Sequence, residues 1–136
     1  MSCVILADGA ARHSVMSKIL VVDDESDILT EYQEFFEFAG FSTETSADPV
    51  AAFDLVLNTP DIGLVITDLR MAKLNGARMI HELRAALPPE RRVDFIILTG
   101  DASTSHIDCI PDVPVFLKPA DTDALVAAVR SAMARP

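Results

Sequence analysis

No apolar stretch of this 136-residue chain is long enough to span a bilayer, so no transmembrane helix is predicted. The start, Met1-Ser2-Cys3-Val4-Ile5-Leu6-Ala7, has a very short apolar run with no basic residue ahead of it, which argues against a secretory signal. Basic residues are scarce: 11 Lys and Arg stand against 21 Asp and Glu, a formal net charge of -10. Without a basic stripe the chain offers no surface for nucleic acid. Cysteine is scarce too. Cys3 and Cys109 are far apart and in no metal-ligand spacing, so they read as reduced thiols of a cytoplasmic protein. A Gly-rich phosphate loop is missing, which argues against a nucleotide- or flavin-binding module. There is no long linker, low-complexity tract or internal repeat. What remains is a chain half of whose residues are hydrophobic, enough for one domain with a real core.

The pattern within that domain is strand, helix, strand, helix. Leu64-Val65-Ile66-Thr67-Asp68 is an apolar, mostly β-branched run that ends on a carboxylate. Such a run suits a strand buried on both faces, as in parallel sheets. Lys18 to Val22 runs likewise into Asp23-Asp24, Phe95 to Leu98 into Thr99-Gly100, and Val113 to Leu117 into Lys118-Pro119. Phe41 to Thr45 supplies a short second strand.

Between the strands, Ser26 is positioned to cap a helix with Ile28, Leu29, Tyr32, Phe35, Phe36 and Ala39 inward, closed by Gly40. Glu31, Glu34 and Glu37 form its wet face. Asp48-Pro49 opens a second helix that buries Ala52, Leu55 and Val56. A third buries Met79, Ile80, Leu83 and Leu87 before Pro88-Pro89 stops it. The polar segment from Asp101 to His106 has only Ile107 and Ile110 as anchors beyond it, so any helix there is short. Asp121 or Thr122 caps a last helix with Leu125, Ala128, Val129 and Met133 inward.

Five strands alternating with helices predict a flavodoxin-like, doubly wound α/β fold, with a parallel sheet of order 2-1-3-4-5 and helices on both faces. In that order the first and third strands are neighbours, and Asp23 and Asp24 lie beside Asp68. Residues 1–15 fit no element and read as a loose arm; residues 16–136 form the domain.

At the carboxyl ends of such strands, where ligands of open α/β sheets bind, three acids, a hydroxyl and an ammonium converge. Asp23 and Asp24 taken alone suit an exposed acidic turn. Together with Asp68 they make a group of carboxylates that cannot all ionise cheaply without a cation, and their hard oxygens suit Mg²⁺. Asp68 is either a loop or capping aspartate or a nucleophile able to form an acyl-phosphate. Lys118 is a solvated lysine or a point charge for a phosphoryl oxygen. Thr99 is a β-propensity choice or a hydroxyl donor, and Gly100 permits close backbone approach. His81 and His106 read as surface residues. Met71 and Met79 read as loop and core residues.

The pieces Lys18-Ile19-Leu20-Val21-Val22-Asp23-Asp24-Glu25, Val65-Ile66-Thr67-Asp68-Leu69-Arg70-Met71, Asn75-Gly76, Leu98-Thr99-Gly100 and Lys118-Pro119 come in one order over residues 17 to about 134. In this the chain resembles the receiver domain of two-component response regulators. The resemblance implies that Asp68 accepts a phosphoryl group from a histidine kinase or histidine phosphotransfer protein. It implies Mg²⁺ held by Asp24, Asp68 and the carbonyl of Arg70, with Asp23 reaching it through water. It implies that Lys118 pairs with the phosphoryl group and that Thr99 moves to meet it. The output is then binding to a downstream protein, from a free-standing receiver that is a regulator and not an enzyme.

The alternative is an aspartyl-phosphate phosphohydrolase. It wants a second acid two residues past the nucleophile, where Arg70 stands. Arg70 is instead expected to pair with Asp101 over the site. There are three departures from the family, of which the one at Ala72 is minor and the other two bear on output while leaving phosphorylation intact. Ala72 replaces a usual proline, and the stretch between Thr99 and Lys118 is short. Val115 holds the usual aromatic switch position, with Phe116 one step later on the opposite face. A switch without that aromatic is expected to act by ordering Asp101 to Cys109.

Overall fold

The computed structural model describes residues 17–71, 73–100, 110, 112–118 and 122–134. The expected arm, Cys3, Ala72, the segment from Asp101 to Cys109 with His106, Pro119 and the Asp121 cap lie outside these residues. So do the Arg70–Asp101 pair and the ordering of Asp101 to Cys109.

Five strands are described: β1 (Lys18–Val22), β2 (Thr43–Ser46), β3 (Ile62–Asp68), β4 (Asp94–Thr99) and β5 (Val115–Leu117). They form one parallel sheet in the order β2-β1-β3-β4-β5, the predicted topology. Four helices are described: α1 (Ser26–Phe38), α2 (Pro49–Asn58), α3 (Gly76–Ala86) and α4 (Thr122–Met133).

The two-residue period of the strands divides the core in two. Leu20, Val22, Val65, Phe95 and Ile97 face α2 and α3, where Ala52, Val56, Met79, Ile80 and Leu83 meet them. Ile19, Val21, Leu64, Ile66, Ile96 and Leu98 face α1 and α4, against Leu29, Phe36, Leu125, Val129 and Met133. Continuous apolar strands are what burial on both faces demands.

Several boundaries differ from expectation, β3 for one beginning at Ile62, and backbone hydrogen bonds account for three of them. Ser26 is the first helical residue and not the cap. Glu25 takes the N-cap position without a side-chain bond, and its carbonyl accepts from Ile28 and Leu29 N–H. Asp23 Oδ1 accepts from Glu25 N–H at 2.9 Å, which turns the chain a residue earlier than a Ser26 cap would. Secondly, β2 begins at Thr43 because Phe41 belongs to the close of α1. Phe41 N–H bonds Phe36 C=O and Gly40 N–H bonds Glu37 C=O, with Gly40 at φ 102°, the double closure that glycine permits. Thirdly, β5 begins at Val115. Val113 N–H turns back to Ile110 C=O, and Pro114 has no N–H for the ladder.

The Asp48 cap follows expectation, the Asn75 cap was not foreseen, and Thr122 is the first helical residue of α4 and not its cap. Asp48 accepts from Val50 N–H ahead of Pro49. Asn75 Oδ1 accepts from Ala77 and Arg78 N–H at the start of α3.

Candidate functional site

Strand register sets the site. Val22 lies opposite Thr67, so one step further Asp23 stands beside Asp68. Asp68 lies opposite Leu98, and Thr99 opposite Leu117, the residue before Lys118. Successive strand ends therefore bring Asp23, Asp68, Thr99 and Lys118 to one edge.

Their surroundings differ. Asp23 is 3% exposed, Thr99 is buried, Asp68 is half-buried and Asp24 is open to water. Lys118 Nζ donates to Asp23 Oδ2 at 2.7 Å and lies 3.7 Å from Asp68 Oδ2. Lys118 N–H donates to Thr99 C=O at 2.8 Å, which fixes where the lysine leaves the sheet. Asp68 Oδ1 accepts from Leu69 N–H at 2.8 Å. One oxygen of Asp68 is thus held by backbone, and the other faces the ammonium. Arg70 lies exposed two residues beyond Asp68.

Opposing influences act on the charges here. Burial pushes the Asp68 carboxyl above its ordinary value of 3.8; Lys118 pulls it down and Asp23 pushes it further up. Burial lowers the Lys118 ammonium, but its hydrogen bond to Asp23 and the fields of Asp68, Asp23 and Tyr32 outweigh that, so its pKa is raised. Lys118 therefore stays charged, and offsets only part of the repulsion among the acids.

Two contributors were not singled out from the sequence as parts of the site. Tyr32 was expected only as an inward-facing residue of α1, and it does stack on Phe36 with ring centroids 6.0 Å apart. Its phenol also lies in the field of the site. Burial raises its pKa, Lys118 lowers it, and Asp23, Glu31 and Asp68 raise it. The available signal was its place two turns past Asp24 on the inward stripe. The second is Gly76, known beforehand only as part of a motif. Its N–H donates to Leu69 C=O at 2.8 Å, and a Cβ there would overlap the carbonyl oxygen of Asp68. The start of α3 thus lies directly against the backbone that carries Asp68.

Asp23, Asp24 and Asp68 form a group in which one carboxylate oxygen from each lies within 4.8 Å of the other two. A buried, an exposed and a half-buried acid leave the group open to water on one side. That donor set fits a hard cation which keeps part of its hydration shell.

Residues 19–130 match the family described as response regulator receiver domain. The chain belongs to that family. Receiver domains are signalling switches of two-component systems and not classical enzymes. Two-component response regulator PprB of Pseudomonas aeruginosa is 36% identical over 91 residues, 67% of this chain and 32% of PprB. Response regulator SaeR of Staphylococcus aureus is 33% identical over 95 residues, 70% of this chain and 39% of SaeR. The chain thus spans less than two fifths of the length of either relative.

Among solved structures, a receiver domain protein from Clostridium thermocellum is 31% identical with a TM-score of 0.70, covering 86% of this chain and 94% of its own. A CheY-like receiver domain from Methylobacillus flagellatus is 22% identical with a TM-score of 0.75, covering 85% and 98%, a likeness of fold. No helix among the described residues is long and apolar enough to cross a membrane.

Val115 and Phe116 fall on opposite faces of this receiver domain, as their order in β5 requires. Val115 packs with the α2–α3 core and Phe116 with the α1–α4 core. The phenylalanine is therefore no substitute for an aromatic at position 115.

Proposed function

We propose that Asp68 is the phosphoryl acceptor of an Mg²⁺-dependent signalling switch. Its donor is a histidine kinase or histidine phosphotransfer protein, and its output is binding to a downstream protein. The observation that carries this reading is Lys118, held 2.7 Å from Asp23 and 3.7 Å from Asp68 at the carboxyl edge of the sheet.

Asp24, Asp68 and the Arg70 carbonyl would hold the metal, with Asp23 reaching it through water. Bound there, Mg²⁺ supplies charge neutralisation between the acids and the oxygens of an incoming phosphoryl group. The chain's own residues do the rest. Leu69 N–H anchors Asp68 Oδ1, so Oδ2 attacks phosphorus. The Oδ2–P bond forms as the N–P bond of the phosphohistidine breaks, and the imidazole leaves with the electron pair and takes up a proton. Lys118 then exchanges its contact with Asp68 for a phosphoryl oxygen, and Thr99 donates its hydroxyl to another.

The test is incubation of the full chain with acetyl phosphate, with and without Mg²⁺. The expected result is a mass gain of one phosphoryl group that needs Mg²⁺ and is removed by hydroxylamine, as an acyl-phosphate is. No gain with an active donor, or a hydroxylamine-stable adduct, overturns the reading. The rate should fall on acidification, because a protonated Asp68 has no anionic oxygen to attack phosphorus.

Metal binding gives a second expected result. Mg²⁺ binds the assembled acids and not the dispersed acids of the unfolded chain. At a hundredfold excess over its Kd it should add about 2.7 kcal/mol of stability. Thermal melts with and without Mg²⁺ check this, and Asp24→Asn should remove most of the increment. A melting temperature indifferent to Mg²⁺ counts against the metal assignment.

A further inference from the structure

The end of the molecule opposite the acidic edge carries features that phosphorylation does not use. Phe38, in the last turn of α1, is 95% exposed, an unusual fate for a phenylalanine. A few residues further along the chain, Phe41 and Ser42 help to line a groove of about 630 Å³ whose walls also include Ser17, Arg130 and Met133. Arg130 lies over the Phe41 ring, 5.4 Å from its centroid, and makes no ion pair among the described residues. Glu34 and Glu37, exposed beside Phe38, make none there either.

One end of the chain therefore holds an aromatic knob with acids beside it, and a groove lined by an aromatic ring with a cation over it, these charges making no ion pair among the described residues. Knob and groove are only a few residues apart, on the close of α1. A patch that carries both halves of a complementary pair suits a two-fold contact between identical chains.

We propose that this end is a self-association surface: Phe38 of one protomer seats in the groove of a second copy, with Glu37 facing that copy's Arg130. Charge complementarity favours a second copy over an unrelated partner. The groove's cation and the knob's acids answer each other on the same chain, and the pairing offsets contact between two chains that each carry a formal charge of -10. Phe38 supplies the buried aromatic anchor that interfaces of this kind concentrate their affinity on. The contact leaves the edge with Asp68 open, because α1 and α4 run antiparallel to the strands and their last turns lie at the opposite end.

Sedimentation equilibrium of the full chain, from micromolar to millimolar concentration, tests the proposal. The wild type should dimerise. Phe38→Ser, at a position too exposed to disturb folding, should weaken the dimer by about tenfold or more. Arg130→Glu should weaken it too, and adding Glu37→Arg to that variant should restore it. A wild type that stays monomeric throughout overturns the proposal. That outcome is what filling of the groove by residues 1–16 or by a different protein would give. A dimer indifferent to Phe38→Ser, or a double reversal no tighter than the single one, overturns it as well.

Discussion

Asp68→Asn is expected to abolish phosphoryl uptake from acetyl phosphate and, at neutral pH without Mg²⁺, to raise the melting temperature. The first effect follows from the proposed chemistry. A carboxamide offers no anionic oxygen to attack phosphorus, and loss of a nucleophile lowers rates by orders of magnitude. The second follows from burial and from the Asp23 charge, which make the ionised Asp68 costly in the folded chain.

The Asp68 pKa is higher in the folded than in the unfolded chain. Its contribution to stability is fully present below the ordinary value near 3.8, and is lost as pH rises through the raised folded value. At neutral pH the wild type lacks that contribution, and asparagine avoids the loss. The difference in melting temperature between the two proteins should therefore shrink as pH falls through that window. Intact-mass spectrometry and melts across pH measure both effects. Uptake by Asp68→Asn at the wild-type rate would misassign the nucleophile. A lower melting temperature at neutral pH would mean that the Lys118 contact outweighs burial and repulsion.

Gly76→Ala should destabilise the fold, against the direction that helix propensity gives. Alanine is favoured over glycine within a helix by about 1 kcal/mol. The new Cβ, however, would overlap the Asp68 carbonyl oxygen and press on Leu69 Cα. Backbone cannot move aside as a flexible side chain can. Overpacking of this kind costs roughly 1–3 kcal/mol or more, so the clash wins. The melting temperature should fall by several degrees, at roughly 4 °C per kcal/mol for a chain of this size. Phosphoryl uptake should fall with it, because relief of the overlap displaces the segment that carries Asp68. Gly100→Ala is the control. A Cβ there meets nothing within 4 Å, so its melting temperature should stay near that of the wild type.

The sheet order and the two-sided core were legible because buried parallel strands write themselves as unbroken apolar runs, as Ile19 to Val22 and Leu64 to Ile66 do. The gathering of Asp23, Asp68, Thr99 and Lys118 at one edge was legible for the same reason, since each directly follows or ends such a run. Less legible was whatever depends on backbone hydrogen bonds between neighbours. Ser26 has the right side chain for a cap, but the bond from Glu25 N–H to Asp23 starts the helix earlier. Phe41 has high strand propensity, but its N–H is taken by the close of α1. The need for glycine at position 76 was invisible, because it arises from a contact across the loop with Asp68 that no local pattern encodes.

The bond from Lys118 to Asp23 joins positions 95 residues apart. Synthesis runs from the amino end, so all three acids emerge well before the lysine that partly neutralises them. Until β5 docks, Asp23 has no ammonium to enter the core with, and the end of β1 is left with an unscreened charge. Closure of the sheet by its last strand and completion of the acceptor site are then one event. Contacts of such long range form slowly. A half-made or misdocked chain would show the acids without the ammonium that is proposed to hold the phosphoryl group once it is attached.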